Sequence, residues 1–376
     1  MEWIIKNIIF YILVFSFPTF INATEYIKIL VKTSKNSISF NASNFTIIDE
    51  RVKDVLFSSN KKKKITVKIK TKDKQDGIVV LGKFYPTTGI IVESKNIFTV
   101  DKKKLKFKLL VTTYNEKLYL INLLPIESYL AGIIHTEISP NWPTEAIKAQ
   151  IVVSRTYALR KKFKNLYRPY DLGTTVLDQV YKGMAKITIH STRLVASTFG
   201  EVISYRHELI EAFFHSNSGG LTEEGTYFSG VEVPYLKTTN DLKYLKGAPK
   251  TNWTYKIKIK KFSYYLRKAN LVKGELHKIS VIKRSKAGRV LKLQLFSKKI
   301  KTISGEKLRS IIGYIKIPST KFTISINSKY LIIKGKGFGH GVGMSQWGAY
   351  GMAKAKKDYK TIIHKYFKNV KIIQMY

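Results

Sequence analysis

Five apolar residues and one acid share a helical face in this 376-residue chain. In LPIESYLAGIIHTE, Ile126, Tyr129, Leu130, Ile133 and Ile134 recur at the three-and-four spacing of one helix face, and the same face continues to Glu137. A carboxyl on an apolar stripe is not placed there for solvation. Burial disfavours its charged form and raises its pKa. An acid that keeps its proton near neutrality is what general acid catalysis requires. The residues alone leave a second reading open, in which Glu137 is a buried partner of Arg155 and does no chemistry. The two readings conflict, because a close guanidinium would pull the Glu137 pKa down.

Arg155 and Lys148 lie on one face of a second helical stretch, TEAIKAQIVVSRTYALRKKF. A cation among apolar residues needs an anionic partner. That partner is either a structural acid or a carboxylate on a substrate. Farther on, FFHSNSGGLTEEG brings His215, Ser216 and Ser218 to a turn marked by Gly219-Gly220. A nucleophile elbow needs glycine two residues before its serine, and Ser216 occupies that position before Ser218, so a serine hydrolase is not indicated. The seven histidines are scattered, and no metal-ligand spacing is present.

Near the C-terminus, GKGFGHGVGMSQWGAYGMA places glycine at 335, 337, 339, 341 and 343. Read as a strand, these share one bare face, with His340 on the other. Such a face either admits another backbone at close range or lines a groove for a flat ligand. Ser345 is predicted to cap a helix that begins at Gln346.

Two β-rich stretches and a helical centre must position these residues. Residues 24–122 alternate apolar residues with lysine over short runs such as KITVKIK and KLYLIN, which predicts an antiparallel region with one wet face. From residue 123 the period changes to helical: one helix after Pro125, and a second with Thr144 as its expected N-cap. About 250–328 returns to strand character, as a β-rich insertion ahead of the glycine strip and C-terminal helices of 335–376. The fold class expected is α+β. Residues 1–23 carry Lys6, a short apolar run and Ala23, and read as a signal peptide or an uncleaved membrane anchor. Either predicts a body exported to the cell envelope or beyond.

Lysine and arginine number 67 against 25 acids, a net charge of +42. That excess suits a solvated surface or attraction to a polyanion. Nucleic acid is not the expected partner, since no nucleic-acid recognition motif accompanies the charge. With no cysteine, disulfides, thiolate metal sites and a thiol nucleophile are excluded.

The residues around Glu137 and Arg155 resemble the stage II sporulation protein D family, which includes the amidase enhancers. So do DQVYKG, HSNSGGLTEE, PYLK, AGRVLKLQL and GFGHGVGMSQWGAYGMA, in family order over roughly residues 120–376. The resemblance implies a lytic transglycosylase that cuts the MurNAc–GlcNAc bond of peptidoglycan to 1,6-anhydro products, notably on strands stripped of stem peptides, with Glu137 as catalytic acid. The alternative it implies is a non-catalytic wall-binding partner of a cell-wall amidase. On this reading the glycine strip floors a sugar groove. Lys148, Arg155, His215, Ser216, His340 and Gln346 are then the expected substrate contacts, Lys148 and Arg155 through the lactyl group of muramic acid. Some family members carry Cys and His near DLGTTVLDQVY in a pattern that suggests zinc. Gly173 and Asp178 stand here instead, so no metal and no cofactor is expected.

Overall fold

The computed structural model describes residues 24–174, 178–226, 230–327 and 329–376; the signal-peptide or anchor segment lies outside them. The first twelve strands, between Tyr26 and Pro125, form two six-stranded antiparallel sheets. Strict alternation, as in Ser37–Ala42 and Phe45–Asp49, turns every second side chain inward. The inward faces of both sheets, including Ile38, Phe40, Ile65, Ile47 and Val92, share one core. Polar and lysine side chains take the outer faces.

The last of these strands, β12 (Lys117–Pro125), runs without a loop into α1 (Ile126–Glu137). Pro125 fits there because a residue at a helix start has no intrahelical use for its N–H. The Ile126 N–H donates to the Glu25 carbonyl at 2.8 Å, which ties the helix start to the first strand. The apolar stripe of α1 is buried as its spacing predicts. The second helix, α2 (Thr144–Lys164), starts one residue earlier than its expected capping requires: Pro143 holds the cap position, and Thr144 is the first helical residue and caps nothing. Its middle, from Ala149 to Leu159, is buried throughout.

Residues 253–335 build a unit with its own core, which includes Phe262, Leu266, Leu293, Leu308 and Leu331. Its sheets are β16 (Trp253–Lys258), β21 (Tyr330–Gly335) and β20 (Phe322–Ile326) in that order, and a second antiparallel set between Lys278 and Ser304. Two helices, Ile259–Lys268 and Gly305–Ile312, also belong to it. The alternation of lysine with apolar residues in the flanking strands hides them in the sequence. The whole is α+β, as expected from the sequence.

Beyond Gly335 the glycine strip is not a pleated strand. Gly337, Gly339, Gly341 and Gly343 all have positive φ, between +73° and +105°, a region that side chains with a Cβ rarely adopt. The ribbon is held by isolated bridges from Phe338 to Asn217 and from Val342 to Glu223. It ends at β22 (Met344–Ser345), which pairs in parallel with β15 (Phe214–His215). A Cβ at Gly341 would land on the Arg289 guanidinium, and one at Gly343 on the Phe213 carbonyl. The bare backbone lets the protein pack against itself at close range, the first of the two readings that the spacing left open. Ser345 accepts the Gly348 N–H at 3.2 Å and caps the following helix, Gln346–Lys354.

Candidate active site at the end of the first central helix

Glu137 is the final residue of α1, and the chain turns away immediately after it through Ile138. Its half-buried carboxyl accepts one hydrogen bond, from the Val180 N–H at 3.1 Å. The neighbouring Thr136 hydroxyl donates to the Val180 carbonyl at 2.7 Å, so consecutive residues of the helix end grip both polar groups of Val180. Burial raises the Glu137 pKa above the ordinary carboxylate value, and the Val180 N–H opposes this only in part. Among the described residues no cation contributes to holding the proton off. The fully buried Tyr129 feels the same carboxyl: its phenol is pushed well up by burial first and then by the Glu137 and Asp178 charges.

Arg155 is elsewhere engaged. Its guanidinium is fully buried and meets Glu127 in a two-pronged pair, Nε–Oε1 at 2.8 Å and Nη2–Oε2 at 2.7 Å. It also donates to the Glu201 carbonyl at 3.1 Å. The Tyr376 hydroxyl donates to the same carboxylate. Arg155 thus has the structural acid that the sequence left as one alternative. A glycan has no access to it, and its expected substrate contact is corrected. The conflict between an acidic role for Glu137 and a nearby arginine is removed at the same time.

Lys148 forms an ion pair with Glu145 at 3.1 Å and lies 5.7 Å above the Tyr359 ring. His340 has both ring nitrogens on backbone: Nδ1 accepts from the Val342 N–H at 3.1 Å and Nε2 donates to the Phe214 carbonyl at 2.8 Å. Burial and the Arg289 guanidinium push its pKa down to about 3. It is a neutral clamp between ribbon and β15. His215, 5.5 Å from it ring to ring, uses Nδ1 on the Val342 carbonyl, and its titration is pushed far down by burial. Ser216 accepts the Trp347 N–H at 3.0 Å through its carbonyl. Gln346 is buried and donates to Gln150 at 3.4 Å, and Gln150 donates to Ser154 at 3.0 Å. Polar atoms expected to face a glycan are in these cases turned to the chain itself. Ser218 donates to the buried Asp241, which also accepts from Tyr366 at 3.1 Å.

What gathers around Glu137 is different. Trp142, in the turn that follows it, packs 5.1 Å from both Trp347 and Tyr350, and those two lie 5.2 Å apart. This half-buried trio joins the helix end to the helix after the ribbon. His135 stacks on His190 at 6.0 Å with planes 6° apart, and burial, His190 and Lys186 lower its pKa. The sequence reading missed Val180, Thr136 and Glu127. Glu127 left a signal: a buried arginine on α2 requires an acid, and Glu127 is the acid in the first turn of the preceding helix. Asp178 accepts the Gly173 N–H at 2.9 Å and pairs with Lys161 at 3.3 Å. Among the described residues no three His, Asp or Glu side chains converge as metal ligands. No described helix is long and apolar enough to cross a membrane.

The arrangement offers one shielded carboxyl able to give and retake a proton. Comparison with known proteins places it in context. Residues 114–205 match the family described as stage II sporulation protein, and residues 246–343 match a domain of unknown function, DUF8618. The chain is 34% identical over 286 residues to an uncharacterized protein of Brachyspira hyodysenteriae, covering 76% of each. It is 30% identical to the stage II sporulation protein D of Bacillus subtilis, over 66% of this chain and 74% of that one. It is also 30% identical to the amidase enhancer of the same organism, over 63% of this chain and 39% of the relative.

Proposed function

The chain belongs to the stage II sporulation protein D family, and from that premise we propose that it is an exported lytic transglycosylase that cleaves peptidoglycan glycan strands. Glu137 protonates the oxygen between N-acetylmuramic acid and N-acetylglucosamine, and the C1–O bond breaks. The resulting carboxylate takes the proton of the C6 hydroxyl as that oxygen closes on C1, which leaves a 1,6-anhydro ring and a protonated Glu137. The nucleophile comes from the sugar, so the second carboxylate of an ordinary glycosidase is not needed. One observation carries the reading: Glu137 is a desolvated carboxyl with a raised pKa and, among the described residues, no cation opposing it, the state a general acid needs. The net charge of +42 favours approach to an anionic wall.

The test is mass spectrometry of products released from purified glycan by wild type and by Glu137→Gln. The wild type is expected to yield 1,6-anhydro ends and the variant to bind the wall without releasing them. Equal release by both would sink the assignment. A second reading, a non-catalytic wall-binding partner of an amidase, is supported by the similarity to the amidase enhancer and by the inward-turned His340 and Gln346. It predicts no anhydro product from the wild type and a faster amidase when the two are mixed.

A further inference from the structure

The unit of residues 253–335 carries a groove of about 550 Å3 along the sheet β16–β21–β20, where it meets the glycine ribbon. Four cations line it, Arg284, Lys321, Lys334 and Lys336, and no carboxylate does. Among the described residues none of the four is in an ion pair, as for most cations of a chain with 67 lysines and arginines against 25 acids; what distinguishes them is their convergence on one groove.

The register explains how they converge. Thr254, Lys334 and Thr323 stand abreast across three strands, all exposed on the outer face. Lys336, two residues on, falls on the same face. Its N–H donates to the Lys321 carbonyl at 2.9 Å, which brings those two lysines side by side. Lys321 is half-buried, and its ammonium donates to the Gly219 carbonyl at 3.2 Å, which joins the groove to the loop after His215. Burial, and then Arg289 and Lys336, lower the Lys321 pKa. Like charges brought together in a partly desolvated hollow cost stability unless an anion joins them. A lysine-rich surface alone would disperse its charges. Here a concave wall gathers them beside two hydroxyls.

We propose that this groove is a second, non-catalytic binding site that holds free carboxylates of an anionic glycan strand. The strand would be peptidoglycan stripped of its stem peptides, whose muramic acids expose lactyl carboxylates, and in this the inference rests on the glycan-cleaving reading. Lysine and arginine supply the charge, and Thr254 and Thr323 supply hydroxyl contacts to sugars.

The test reads binding separately from cleavage. The full chain carrying Glu137→Gln is titrated with glycan strands freed of stem peptides, with the same strands methyl-esterified, and with duplex DNA of matched charge. Lys334→Glu/Lys336→Glu is compared with Lys299→Glu/Lys301→Glu, an equal charge change on exposed residues elsewhere in the same unit. The groove variant is expected to lose about tenfold in affinity for the carboxylate strands and the control under about twofold, as expected of converging rather than dispersed charges. Esterified strands should bind the parent weakly and ignore the groove variant. Equal losses in the two variants, equal binding of esterified strands, or a loss on DNA as large as that on glycan would each overturn the proposal. If groove-dependent binding holds while the wild type releases no anhydro product, only the cleavage reading falls. If product is released and binding ignores the groove, only this inference does.

Discussion

The helix α1 carries a glutamate near each end, and the two live in opposite electrostatic worlds. Glu127, in the first turn, is gripped by the Arg155 guanidinium and the Tyr376 hydroxyl. Glu137, in the last turn, has among the described residues a single hydrogen-bond donor, a backbone N–H. Ten positions apart on one helix stand a carboxylate gripped by a guanidinium and a carboxyl that burial helps to keep its proton. The difference teaches how one helix can serve stability and chemistry together: the arginine that would spoil the acid is captured at the far end.

Breaking this division should have graded effects. Glu137→Gln should cost about 10²–10⁴-fold in the rate of glycan cleavage, the usual worth of a general acid–base, read as anhydro-product formation, while Glu127 and its partners keep the fold intact. Arg155→Met should leave Glu127 without its cation, with the Tyr376 hydroxyl still on it, and cost about 3–5 kcal/mol of stability in chemical denaturation. The double change with Glu127→Met should recover part of that, since an apolar pair leaves no buried charge. A recovery of nothing would show that the pair is not the reason for the loss. Thr136→Val removes one hydrogen bond to Val180 and should cost about 1 kcal/mol, with an altered pH profile of cleavage because Val180 is the donor to Glu137.

The smallest effect is the most diagnostic. A carboxyl whose folded pKa is raised binds more protons in the folded state than in the unfolded one between the two values. Stability from Glu137 therefore falls as pH climbs from the ordinary 4.5 through the raised folded value. Glutamine escapes that loss. Glu137→Gln should melt at a slightly higher temperature than wild type at neutral pH, and the gain should vanish below pH 4.5. A gain that persists in acid would mean that desolvation of this carboxyl is not its cause. Cleavage itself should fade as pH rises past the raised value, because the acid then enters the reaction without its proton.

Much of the Glu127–Glu137 helix was legible from spacing alone: its start after Pro125, its buried stripe and the acid at the end of that stripe. Periodicity reports which side chains face the core, and it sets Glu137 at the end of the buried stripe. It does not report pairing across sequence, so it leaves Arg155 between a structural acid and a substrate carboxylate, and the acid is Glu127, in the same motif but off the stripe. The glycine strip differs from its expected strand geometry, though its close backbone packing was one of the two readings the spacing left open. Alternate spacing suggests a pleated strand, yet the φ values at Gly337 to Gly343 are open to glycine almost alone, and no side-chain pattern announces them. His340, expected on the face opposite the glycines, closes the ribbon onto Phe214 through its imidazole.

The seamless passage from β12 into α1 has a mechanical corollary. With no slack between strand and helix, and with Ile126 tied to Glu25 at the joint, the first turn of α1 takes its direction from the sheets before it, so the frame that aims the helix is the β-rich region and not a loop.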